Sequence, residues 1–211
     1  MSKFATWIIT TTAGFCVGFL AYVQLFNLIA YGKMTWQTGM EHSLSTYIAL
    51  LVGLLAAGAI VGSAQVLVTR SFSVQVIPWI LSTAAGFGAL IAIIWPLHYV
   101  ELWGNIPGPA EPIIVLVGGG SLAGVFQFMV LRRHGINAAK WLLIWIAGLI
   151  FSLVPTALVF MLLEGPLGVS YSWPVGVALS GLLIGGFAAL VSAKAVIVAL
   201  SGQSGDVERS E

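Results

Sequence analysis

The sequence predicts an all-α membrane protein: six transmembrane helices arranged as three like-oriented helical hairpin repeats. Three observations predict it. Only 7% of the 211 residues are charged and 59% are apolar, whereas a soluble domain carries about 25% charged residues. Six apolar runs each reach the roughly 20 residues that a bilayer crossing needs. A glycine–glutamine–arginine motif recurs after 62 residues.

The apolar runs cover residues 4–30, 44–69, 76–100, 113–131, 141–163 and 173–200. None contains an acidic residue, and none alternates as a β-barrel strand would. The first run is longer than a signal peptide's apolar stretch and lacks a small-x-small cleavage site, so it is expected to remain in the mature protein. Residues 1–200 therefore form one bundle with hairpins at 4–69, 76–131 and 141–200, and residues 201–211 form a polar tail expected to be disordered. The connections are too short to hold a soluble catalytic domain. A net charge of +1 gives no field for nucleic acid. The single cysteine, Cys16, can form neither an internal disulfide nor a thiolate metal site.

Six spans place both termini on one side. Lys3, Arg70, Arg132, Arg133, Lys140, Lys194 and Arg209 fall on that side, and only Lys33 on the other. The positive-inside rule then makes that side cytoplasmic, so both termini are expected to face the cytoplasm. Trp7, Trp79 and Trp141 begin the odd spans, while Trp36, Trp95, Trp103 and Trp173 lie near the far side. The expectation is two interfacial belts of indoles.

The repeat runs Gly58-x3-Gly62-x2-Gln65-x2-Val68-x-Arg70, then Trp79 and Ala85-Gly86. Sixty-two residues later it runs Gly120-x3-Gly124-x2-Gln127-x2-Val130-x-Arg132, then Trp141 and Ala147-Gly148. A degraded copy has Gly181, Gly185 and Lys194, and the first span supplies Trp7 and Ala13-Gly14. Glycines four apart lie on one helix face and admit a neighbouring backbone. Gln65 and Gln127 lie close to that face, where a buried amide either bonds a neighbouring helix or lines a polar path. Each hairpin holds an even number of spans, so successive copies point the same way, unlike inverted-repeat transporters. They can close a pseudo-threefold ring or stand side by side.

This pattern resembles a group of uncharacterised bacterial multi-pass membrane proteins with repeated hairpins, over roughly residues 58–194. The resemblance implies a bacterial membrane protein and no particular activity. Mitochondrial carriers share the three-hairpin plan, but their Pro-x-acid-x-x-base motif is absent: Pro155 is followed by Thr156 and Ala157.

The spans contain no Asp, Glu, His or Arg at mid-depth, which argues against ion-coupled transport. Lys194 is placed to snorkel to the cytoplasmic headgroups. Glu41, His42, His98, Glu101, Glu111 and Glu164 gather toward the outer face, where they form either a cation site or solvated helix ends. No tight ligand spacing favours a metal. His98 can ligate a haem or pigment, but no second histidine matches its depth, so no cofactor is assigned. No Ser–His or Cys–His pair shares a depth, so no nucleophilic site is expected. Pro155 and Pro96 should kink spans 5 and 3.

Function is thus expected to be non-enzymatic: a structural or accessory subunit of a membrane assembly, with other membrane subunits or further copies as partners. The alternative is a passive pore or carrier for a small neutral solute or cation. Haem or pigment binding at the outer face stands further off.

Overall fold

In lipid every backbone polar group must find its partner within the protein, and a helix does this inside a single segment. The computed structural model describes residues 2–29, 44–72, 74–94, 110–133, 138–164 and 173–201. Apart from short turns these are helical, and six stretches are long and apolar enough to cross a membrane. The helices are α1 (Lys3–Ile29), α2 (Leu44–Thr69), α3 (Val76–Ala89), α4 (Ala110–Arg133), α5 (Ala139–Phe151), α6 (Leu153–Glu164) and α7 (Trp173–Ser201). A 3₁₀ turn, Arg70–Phe72, follows α2. Helices α5 and α6 together make the fifth span.

The fifth span is interrupted at Ser152, three residues before Pro155. Proline has no N–H to give to the carbonyl four residues back, here that of Phe151, and its ring crowds that carbonyl. The ladder resumes around Ser152, whose N–H donates to the Gly148 carbonyl at 3.0 Å and whose carbonyl accepts from Thr156 at 3.2 Å. Span 3 has its own break at Leu90, where the N–H turns to the Phe87 carbonyl at 3.2 Å before helix resumes over 91–94. Leu90 precedes Ser152 by 62 residues, so both odd spans break at one position of the repeat. Pro96 lies outside the described residues.

Helix packing follows a closed circuit. Helix α1 lies against α2 and α7, α2 also against α3, α3 against α4, α4 against α5, and α5 against α7. Glycines set the closest approaches. A Cβ added at Gly58 would stand 2.7 Å from the Ala84 Cα, and one at Gly18 would stand 2.8 Å from the Ala57 carbonyl oxygen. One at Gly86 would overlap the Ala123 backbone, and one at Gly181 would come within 3.0 Å of the Cys16 Cα. Small residues let helices meet backbone to backbone where lipid supplies no hydrophobic drive for association.

The large apolar side chains divide between inside and outside. Ile9, Ile77, Leu81, Leu143, Phe151, Val154, Leu190 and Val198 are exposed on the perimeter, as suits contact with acyl chains. The interior holds Trp7, Trp79, Trp141 and Trp145, none more than 1% exposed. The expected interfacial belt therefore does not describe Trp7, Trp79 and Trp141. They stand in the first turns of their spans, on the faces turned toward neighbouring helices. Apolar content alone cannot separate that face from the one turned to lipid.

Candidate functional site

The described basic residues collect at one end of the bundle. The Lys3 ammonium stands 4.1 Å from the centre of the Phe72 ring, which sets the start of α1 beside the end of α2. Arg132 and Arg133 share a groove with Leu142, and Lys140 shares one with Lys194. Just inside this end the spans bring together an extended cluster of buried polar side chains.

Its centre is an amide pair. Gln127 donates from Nε2 to the Gln65 Oε1 at 2.8 Å and to the Thr83 hydroxyl at 2.7 Å. The same Gln65 oxygen accepts the indole N–H of Trp79 at 3.2 Å. Both glutamines and Thr83 are buried, at 1% exposure or less. Spans 2, 3 and 4 are thus tied by one acceptor oxygen. Around it runs a chain of four indoles: Trp79 to Trp141, Trp141 stacked on Trp145, and Trp145 edge-on to Trp7, with centroids 6.2–6.3 Å apart. Such aromatic pairs contribute about 0.5–1.5 kcal/mol each beyond their burial. The chain ends in span 6, where Trp7 donates to the Ser192 hydroxyl at 3.3 Å. Trp145 donates to the Gly120 carbonyl at 3.0 Å. Deeper in, Phe15 packs edge-on against Phe87 and tilted against Trp145, 6.1 and 6.2 Å between centroids.

Five buried atoms in the described interior have no partner: Thr11 Oγ1, Gln65 Nε2, Thr69 Oγ1, Gln127 Oε1 and Trp141 Nε1. Trp141 follows Gln127 by 14 residues, as Trp79 follows Gln65. The second copy nevertheless does not make the bond of the first, because Gln127 has turned its amide to Gln65 and Thr83. Most other hydroxyls close on their own helix: Thr10 to the Thr6 carbonyl at 2.8 Å, Thr12 to Ile8 at 2.7 Å and Thr156 to Ser152 at 2.7 Å. Such back-bonding satisfies a hydroxyl without lining a path.

The motif glycines lie in contact with this cluster or beside it. Gly62 faces Thr83, Gly120 faces Leu149 and Phe15, Gly124 faces the Trp145 indole, and Gly185 faces the Phe15 ring. Glu41, His42, His98 and Glu101, with the side chains of Glu111 and Glu164, lie outside the described residues, and so does the expected outer-face site. Residues 202–211 of the polar tail, Trp36, Trp95 and Trp103 lie outside them too, while Ser201 ends α7. Among the described residues no group of three or more His, Cys, Asp or Glu could hold a metal.

Sequence reasoning picked out Gln65 and Gln127, named Thr83 only among many span hydroxyls that bridge helices or line a path, and missed Trp145 and Ser192. Thr83 and Trp145 each stand four residues after a repeat tryptophan, one turn along the same face. That spacing was the available signal. Compared with protein-family models, curated proteins and solved structures, the chain matches none.

Proposed function

We propose that this protein is a non-enzymatic integral membrane protein, a structural or accessory subunit of an assembly in a bacterial inner membrane. The observation that carries this reading is the filled interior. Four indoles, Phe15, Phe87 and an amide pair occupy the space between the spans, so the surface left for work is the perimeter. Span 5 is the least enclosed part of it: 28% of its membrane-length window is buried against 44% for each other span. Leu143, Ile150, Phe151, Val154 and Leu158, each more than half exposed, face outward there. The basic end faces the cytoplasm in this reading, which rests on the excess of Lys and Arg in that end's connections. The closed packing circuit and the shared break at Leu90 and Ser152 support three hairpins about a pseudo-threefold axis.

Native mass spectrometry of the tagged protein, extracted from its own host in mild detergent, tests the proposal. Other polypeptides at fixed stoichiometry are the expected result. A bare monomer would overturn it.

A second reading, a passive carrier for a small neutral solute, draws support from the five unpartnered polar atoms, which could hold such a solute near the basic end. It requires the Phe15–Phe87 contact to open. Reconstituted protein would then show solute flux that Gln65→Leu abolishes.

A further inference from the structure

We propose that the groove between α5 and α7 at the basic end is a binding site for one acidic phospholipid. The groove has a volume of about 490 Å³ and is lined by Lys140, Trp141, Ile144, Val191, Lys194 and Val198. Its composition is that of an amphipathic ligand's counterpart. Lysines from two different spans line it, together with the branched aliphatic side chains of Ile144, Val191 and Val198. No described side chain is a carboxylate, so neither lysine has a counter-ion among the described residues.

The position of Lys194 argues for a lipid headgroup over free solvent. It lies seven residues before the end of α7, with the apolar stretch Ala195–Leu200 still to follow. At 1.5 Å per residue the lysine stands about 9 Å inside the end of that apolar stretch. An exposed ammonium at such a depth is costly unless its stem snorkels or an anion meets it. Lys140, at the start of α5, shares the groove and supplies the second charge. A phosphate diester bridging the two ammoniums neutralises both, and its acyl chain lies along Ile144 and Val191. A zwitterionic lipid carries its own cation beside the phosphate and gains less from the pair. Basic pockets between spans are a recurrent way of holding acidic lipids.

The test is native mass spectrometry of delipidated full-length protein titrated with phosphatidylglycerol, cardiolipin or phosphatidylcholine. The expected result is one tightly retained acidic lipid per chain. Lys140→Ala with Lys194→Ala should weaken retention about thirtyfold, the loss of two basic contacts of ordinary interfacial strength. The paired arginine variant should retain the lipid. Equal retention by the alanine variant, or phosphatidylcholine held as tightly, would overturn the proposal. Displacement by millimolar inorganic phosphate would also overturn it, by marking the site as one for free phosphate. If the double alanine variant fails to fold, Lys194→Gln is measured instead, with Arg132→Gln in the neighbouring groove as the control expected to leave retention unchanged.

Discussion

Spans 2 and 3 meet differently from spans 4 and 5, although the same motif stands at both interfaces. At the first, Gly58 and Gly62 face the backbone and small side chains of α3: Ala84, Thr83 and Ile80. At the second, Gly120 and Gly124 face Leu149 and Trp145 side chains. Two adjacent repeat positions differ there, Thr83 and Ala84 in the first copy against Trp145 and Ile146 in the second. With threonine and alanine the glycines admit a helix backbone. With tryptophan the space left by the missing Cβ takes an indole, and the helices meet through side chains. An open groove then remains between α4 and α5, lined by Val125, Phe128, Met129, Arg132, Arg133 and Leu142. A small-residue motif therefore fixes where an approach is allowed. The partner residue decides what fills it.

Trp145→Thr would make the second interface resemble the first, and it should have the largest effect. Trp145 is 1% exposed, touches Trp7, Phe15 and Trp141, and donates to the Gly120 carbonyl. Truncating a buried aromatic costs about 3–5 kcal/mol, less whatever collapse recovers. The expected outcome is a large drop in melting temperature in detergent, with the groove beside Arg132 narrowed in a structure of the variant. An unchanged melting temperature would mean that the indole is not a core element.

The amide pair breaks the comparison from the other side, since its two members are not equivalent. Gln65→Leu removes the acceptor used by both Trp79 and Gln127, leaving two buried donor groups short of a partner at about 1–3 kcal/mol each. Gln127→Leu removes its bonds to Gln65 and Thr83 but leaves the Trp79 bond to Gln65 intact. Gln65→Leu should therefore lower the melting temperature more than Gln127→Leu. The double variant should be no worse than the sum, because the bond between them is lost once. A steeper loss for Gln127→Leu would show that the cluster is organised around the other amide.

Alanine at the glycines separates the interfaces more finely. At Gly58 the added methyl meets the Ala84 Cα and Thr83 carbonyl oxygen at 2.7 Å, and backbone cannot rotate away. At Gly120 it meets only the tips of Leu149 at 3.1–3.2 Å and Phe15 at 3.4 Å. Gly58→Ala should cost about 1–3 kcal/mol by overpacking. Gly120→Ala should be near neutral, because the helix-propensity gain of about 0.5–1 kcal/mol offsets a small adjustment. Thermal melts of the two variants side by side check this order. Smallest of all, Pro155→Ala should straighten span 5 and change stability little, since Ser152 and Thr156 already carry the helix across the break.

Much of this organisation was legible in the chain because lipid leaves few choices. The six spans follow from hydropathy and from the absence of charge within them. Pro155 drew attention to the break in span 5, but the matching break at Leu90 has Ile93 where span 5 has Pro155. The repeat pointed to Gln65 and Gln127 as counterparts, and the fold joins them directly. Trp7, Trp79 and Trp141 were not legible as core residues. In a bilayer both faces of a helix are apolar, so the pattern that marks the inward face of a soluble helix is erased. The inward face is marked instead by small residues and by the hydroxyl or indole one turn along. Thr83, Trp145 and Ser192 carry that mark; Thr11 and Thr83 hold the same repeat position, four residues after Trp7 and Trp79, where the next copy has Trp145.

The central claim is that side chains fill the interior between the described spans, which is what assigns function to the perimeter. Cysteine accessibility tests it most directly. Thr11 and Thr83 are both fully buried, and each is replaced by Cys in a Cys16→Ala background, in sealed membrane vesicles of either orientation. A charged methanethiosulfonate reagent should label neither position from either side while the protein is folded, and both after denaturation. Labelling of the folded protein at the rate of a solvent-exposed thiol would contradict the account, and would put a water-filled path where the indoles and amides are described.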